Sequence, residues 1–187
     1  LTASYKDYLF FDVTGRQDWS STLASVDMPD KNLGFFYPSV NLSFIASEYF
    51  TLPKQINYAK FRASIAGVGS GGTDPYLTGY SYETAGSLYS GGLQMPTTLG
   101  NGGLKPLKTN SYEVGADLRF FKSRLGIDIA LYKSETKDQH LLRYVDPSTG
   151  YRRYVINAGA VSNRGLEIGL NGKPVQNKEG FLSLIHI

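Results

Sequence analysis

The 187 residues include no cysteine, two histidines and one tryptophan. Without cysteine there is neither a disulfide framework nor a thiolate metal site. His140 and His186 lie far apart with no ligand-spaced partner, so a metal centre has no basis here. Net charge is small as well: 19 Lys and Arg against 16 Asp and Glu leave +3, scattered along the chain, which gives no reason to expect nucleic acid as a partner. No stretch approaches the roughly 18 consecutive apolar residues of a membrane helix. That absence leaves membrane strands open, because a barrel strand hides its hydrophobicity by alternation.

What the chain does have is long alternating segments. Six strands are expected, at about Ala3 to Arg16, Phe35 to Ser47, Tyr58 to Gly67, Lys108 to Phe121, Arg124 to Gln139 and Tyr151 to Asn171. A seventh starts near Phe181. A tilted strand needs roughly 9 to 11 residues to cross a bilayer core, and all six are long enough. Their connections alternate long, short, long, short, long. A transmembrane β-barrel has that alternation for a physical reason, with short turns on the periplasmic side and long loops outside the cell.

Side-chain parity agrees. In the fourth strand Tyr112, Val114, Ala116, Leu118 and Phe120 form one row, and Ser111, Glu113, Gly115, Asp117 and Arg119 the other. The second strand sets Phe36, Val40, Leu42 and Phe44 against Tyr37, Ser39, Asn41 and Ser43. The third sets Phe61, Ala63 and Ile65 against Lys60, Arg62 and Ser64, and the fifth sets Leu125, Ile127, Ile129 and Leu131 against Asp128 and Tyr132. A soluble antiparallel sheet with one wet face also alternates. Strand length and loop asymmetry favour the barrel. The expected class is all-β, part of a transmembrane antiparallel barrel with about six complete strands and the start of a seventh. Six or seven strands do not close a barrel, since the usual sizes begin at about 8. An internal piece of a longer protein is therefore expected, the more so because the chain begins within a strand pattern, with neither an initiator Met nor a signal peptide.

Several stretches, in order, carry a family resemblance. They are Arg16-Gln17-Asp18-Trp19-Ser20-Ser21, Phe36-Tyr37-Pro38-Ser39-Val40 and Phe61-Arg62-Ala63-Ser64. Leu104-Lys105-Pro106 follows, with Thr109-Asn110-Ser111-Tyr112-Glu113-Val114-Gly115, and then Asn157-Ala158-Gly159 with Asn163-Arg164-Gly165-Leu166-Glu167. This series resembles the SusC/RagA class of TonB-linked outer-membrane proteins of the Bacteroidetes, over Tyr5 to about Val175. Leu107 departs from the Glu usual there, Gly102-Gly103 loosens the loop exit, and Leu182 to Ile187 looks like translated adapter sequence rather than a continuing strand.

The resemblance implies a barrel of about 22 strands around a plug, with residues 1–181 a partial barrel domain, 182–187 a non-native tail, and the plug and TonB-contact segment outside this chain. It implies a nutrient importer for oligosaccharides or peptides, in contact with outer-membrane lipid, capped by a SusD-like surface lipoprotein and energised by TonB, with no cofactor and no catalysis. A β-rich glycan-binding surface module without transport is the alternative.

Candidate site residues fall in two sets. The connection from Val68 to Gly103 is rich in Gly, Ser, Thr and Tyr, and Tyr76, Tyr80, Tyr82 and Tyr89 offer apolar faces with hydroxyl tips to a sugar or peptide group. Asp12, Arg16, Arg62, Glu113, Asp117, Arg119, Asp128 and Glu167 fall on the rows expected to face the lumen. Gly67-Val68-Gly69-Ser70-Gly71-Gly72 fits G-x-G-x-x-G, but Thr73-Asp74-Pro75 after it signals a turn and not the helix that pyrophosphate binding requires; a flexible loop base is expected. Asn41-Leu42-Ser43 lies in a strand and is a chance sequon. Tyr49-Phe50 and Phe120-Phe121 stand where a periplasmic aromatic girdle belongs.

Overall fold

A computed structural model describes residues 1–28, 33–72, 74–86, 91–177 and 180–186. The strands are β1 Thr2–Tyr5, β2 Leu9–Trp19, β3 Gly34–Ile45, β4 Ile56–Ser70, the two-residue β5 Glu83–Thr84, β6 Leu93–Gln94 and β7 Thr98–Leu99, then β8 Leu107–Phe120, β9 Leu125–Tyr144, β10 Arg153–Asn177 and β11 Gly180–His186. Eight of them run β1-β2-β3-β4-β8-β9-β10-β11 as one antiparallel meander, β7 pairs parallel with β10 off that path, and β5 pairs with β6. Among the described residues no helix is long and apolar enough to cross a membrane, which says nothing of crossing by strands.

The first expected strand is in fact a hairpin. Lys6 and Asp7 take φ of 47° and 57°, and the chain folds back so that Thr2 to Tyr5 pair with Asp12 to Leu9. Two positive-φ residues make the turn whose twist matches the flanking strands. Its usual Asn-Gly signal is missing here. The glycine-rich stretch also differs from expectation. β4 continues through Gly67 and Gly69 to Ser70, and a Cβ on Gly69 would come 2.5 Å from the Phe35 ring. Gly69 thus permits close packing, and the stretch to Ser70 is strand and not a loose loop base.

Register separates two faces. Partners across the ladder share a face, so Leu42, Ala63, Val114, Leu131 and Leu166 form one continuous apolar row. Phe44, Phe61, Ala116, Ile129 and Ile168 form the next. Opposite them, Asp12, Asn41, Ser64, Glu113 and Tyr132 make a polar row. The apolar band crosses the ladder obliquely. On β3 it reaches Phe36, whereas on β9 it stops at Leu131, which is in register with Leu42. Its lower edge shifts the same way, ending at Phe44 on β3 but continuing to Phe120 and Leu125 on β8 and β9. A band level with a membrane must cut the rows at a slant when strands tilt by about 35–45°.

The sheet has almost no core of its own. A soluble monomer of 20.6 kDa exposes about 8,900 Å² by surface scaling, and this chain exposes 13335 Å². Val114, Leu131, Leu166 and Ile168 are each at least half exposed on the apolar face. At the end with the short connections, the rings of Tyr5, Tyr8, Phe44, Tyr49 and Phe50 form a cluster with centroids 4.7–6.3 Å apart. Phe120 and Phe121 meet at 6.3 Å beside the neighbouring turn.

Candidate functional site

On the polar face β4 carries Arg62, whose partner on β8 is Gly115. The missing side chain lets the guanidinium pass over β8 to Asp128 on β9, with Nη1 and Nη2 donating at 2.8 and 2.9 Å, while Nε donates to Glu113 at 3.3 Å. A Cβ on Gly115 would lie 2.7 Å from Arg62 Nε. Asp117 stands directly across from Asp128, and each carboxylate has its own cation: Asp117 takes Arg119 at 3.1 Å. Arg119 also lies 4.8 Å from the centre of the Tyr58 ring. Asp12 accepts from the Thr2 hydroxyl. Glu167 faces Ala130 and makes no ion pair among the described residues. Register thus puts these residues on one charged face, with Glu113, Asp117 and Asp128 each paired to an arginine. Nothing in it isolates an acid from a base as catalysis would require.

At the long-loop end of the same face, Arg16 Nε donates to Asp18 at 2.8 Å and the Tyr37 hydroxyl donates to the same carboxylate. Beside them, Gln17, Trp19, Thr22, Phe35 and Gly69 to Gly72 border an open cleft of about 540 Å³. Leu23 and Leu104 are fully buried here with Phe35 and Val155, and Leu33, Tyr37 and Leu77 pack against them. This small core joins three loops that are remote in sequence.

Hydrogen bonds close it. Asn157 accepts from the Lys105 N–H at 2.8 Å and donates to the Lys105 carbonyl at 2.8 Å and the Asp138 carbonyl at 2.9 Å. His140 Nε2 also meets the Lys105 carbonyl, at 2.6 Å, and Asn101 donates to the Val155 carbonyl at 3.0 Å. The Leu-Lys-Pro and Asn-x-Gly segments of the sequence are therefore two halves of one latch, and His140 serves it. Asn157→Ala removes three bonds and leaves the Lys105 amide without its acceptor, a loss of about 1–3 kcal/mol. Faster amide exchange across residues 101–106, with exchange in β8 unchanged, is the expected readout.

The tyrosines divide. Tyr80 and Tyr82 are about 70% exposed and line an open pocket of about 200 Å³ with Ser81, Met95, Pro96 and Tyr151. Tyr76 is 81% exposed, at φ 69°, and does not line it. Tyr89 lies outside the described residues. Tyr151 gives no signal in the sequence, since it is distant from the others and arrives only because β7 pairs with the start of β10. In the connection between β9 and β10, hydrogen bonds from the Ser148 side chain and backbone N–H hold the Asp146 carboxyl below the usual carboxylate range.

A tilted, edge-open sheet with an apolar belt, a charged opposite face and folded loops at one end is the wall of an outer-membrane barrel. The chain belongs to the family described as TonB dependent receptor-like, beta-barrel, which matches residues 1–185, and it is a protein of the outer membrane. Members of that family are transporters, not enzymes. Among curated relatives it is 30% identical to TonB-dependent receptor P26 of Formosa agariphila over 91% of this chain, and 28% identical to TonB-dependent receptor P39 of the same organism over 93%. It spans 17% and 16% of their lengths. Among solved structures, one of the RagAB peptide transporter superposes with a TM-score of 0.82 at 22% identity, over 95% of this chain and 19% of that one. The siderophore receptor PirA from Pseudomonas aeruginosa gives 0.57 at 16% identity, over 94% of this chain and 30% of that one. The fold is therefore nearer to RagAB than to PirA.

Proposed function

We propose that this chain is a wall section of a TonB-dependent nutrient importer, with the polar face lining the lumen and the loop end forming part of an outer vestibule that binds oligosaccharides or peptides. The observation that carries the reading is the division of one continuous sheet into an oblique apolar belt and an ion-paired polar face. A water-filled or plug-filled interior needs the second, and lipid needs the first. A soluble glycan-binding module has no use for an apolar face open to solvent, and the surface excess argues against it.

Tyr80, Tyr82 and Tyr151 form the contact site for ligand in this reading, with Tyr76 and Tyr89 on the same long connection. Two flanking rings suit a sugar ring or a peptide side chain, since aromatic contacts add about 0.5–1.5 kcal/mol each beyond area burial. Arg62, Glu113, Asp117, Arg119, Asp128, Asp12, Arg16 and Glu167 supply a hydrated, charged wall against which a plug slides or docks. A SusD-like lipoprotein over the loops and TonB, acting through a segment beyond this chain, complete the importer. Residues 1–181 are assigned to barrel wall and 182–187 to a non-native tail, whose residues as far as His186 nevertheless continue β11 along β10.

Uptake of labelled oligosaccharide and peptide mixtures by cells carrying the intact receptor tests this. Expected is saturable uptake that stops when the proton-motive force is collapsed and that loses about tenfold in apparent affinity in the Tyr80→Ala, Tyr82→Ala double variant. Surface binding with no internalisation even in fully energised cells would establish the glycan-binding module instead.

A further inference from the structure

Just above the apolar belt, Lys133 on β9 and Arg164 on β10 are direct partners across the ladder, and Lys133 pairs on its other side with Tyr112. Like charges directly opposite one another destabilise a sheet. Neither cation makes an ion pair among the described residues, and the nearest acid on that face, Glu135, is held by Lys137 at 3.4 Å. Directly beneath, Leu131 and Leu166 are partners in the top apolar row of β9 and β10. From there an open groove of about 760 Å³ runs between Val40, Leu42, Ile65, Tyr112, Val114 and Leu131. Two unneutralised cations thus cap a greasy channel at one level of the wall.

That level is toward the outside. β9 rises from the short turn after Phe120 to the loop beyond Tyr144, and Lys133 lies past its apolar half. We propose that Lys133 and Arg164, with the groove below them, hold a phosphorylated glycolipid of the outer leaflet, its phosphate monoester on the two cations and an acyl chain along the groove. The inference rests on the reading that the apolar face meets lipid. Charge complementarity selects the headgroup: a phosphate monoester carries about −1.5 to −2 near neutral pH and matches two cations, whereas a phosphodiester offers one charge. Arg164 supplies the fork that binds phosphate oxygens in pairs, and Lys133 a point charge beside it. Tyr112 stands at the boundary, where a ring in the apolar layer and a hydroxyl in the polar one are both satisfied.

The test is native mass spectrometry of the intact receptor in mild detergent, titrated separately with a bis-phosphorylated glycolipid, the same glycolipid after phosphatase treatment, and phosphatidylglycerol. The expected result is retention of the phosphorylated glycolipid about tenfold more tightly than either other lipid, with that preference lost in the Lys133→Gln, Arg164→Gln double variant. Equal retention of the dephosphorylated form, equal retention of phosphatidylglycerol, or a preference unchanged in the double variant overturns the proposal. The wild-type comparison needs no variant to fold. A wild-type receptor that shows no such preference but still takes up substrate sinks this site alone, whereas a wild-type receptor without energy-dependent uptake sinks the importer reading.

Discussion

Ala116→Arg is expected to cost about 2–4 kcal/mol of barrel stability, the penalty for an arginine facing lipid near the midplane of a barrel. Ala116 lies in the middle of the apolar belt on β8, flanked by Phe61 and Ile129 in its own row. Ser64→Arg is the paired control. Ser64 is across from Glu113 on the polar face, where a new cation meets water and a carboxylate, so the change should stay within about 0.5 kcal/mol. Urea unfolding of the intact receptor in detergent or lipid, followed by loss of the heat-resistant barrel form, checks both. Similar costs at the two positions contradict the assignment of faces.

Leu104→Ala is expected to release the vestibule loops at a cost of about 2–5 kcal/mol, the range for emptying a fully buried leucine site. Leu104 is 0% exposed and sits against Leu23, Phe35 and Val155, each from a different segment. This cluster is the largest piece of dry interior that the described residues supply for themselves, so the strands have nothing with which to compensate. The loss is local. Proteolysis and amide exchange should rise together across 20–25, 98–106 and 153–157 while β8 and β9 keep their protection, because those strands are held by lipid and by ladder bonds. Leu93→Ala, at a 68% exposed position of the same long connection, should change neither. If 98–106 alone loosened in Leu104→Ala, the three loops would not be a unit.

Much of the architecture is legible in the order of residues alone. Alternation fixes which residues share a face once strands are assumed, and Tyr112 to Phe120 against Ser111 to Arg119 reads off directly. The long and short connections then orient the strands. The Lys6-Asp7 turn is hidden because its positive φ values sit on residues that do not announce a turn, so two strands read as one. Gly69 misleads in the opposite sense, since its partner Phe35 is more than thirty residues away in sequence and a close approach of this kind leaves no local mark. The latch lies in plain sight as two separate segments, but that Asn157 holds Lys105 depends on the path of a long connection. Tyr151 is invisible for the same reason. Following the row of Leu125, Ile127, Ile129 and Leu131 one step further reaches Lys133; only the pairing with Arg164 makes it notable.

The central claim is that one face of this sheet meets lipid and the other lines the interior. The absence of cysteine from the section makes the direct measurement simple. Single cysteines placed in turn at positions 111 to 118 of β8, in the intact receptor reconstituted into lipid, report through a fluorophore quenched by brominated acyl chains and through reaction with a membrane-impermeant maleimide. The account predicts strong lipid quenching at 112, 114, 116 and 118, with maleimide reaction at 111, 113, 115 and 117. A pattern without the two-residue period, or with the two sets exchanged, contradicts it.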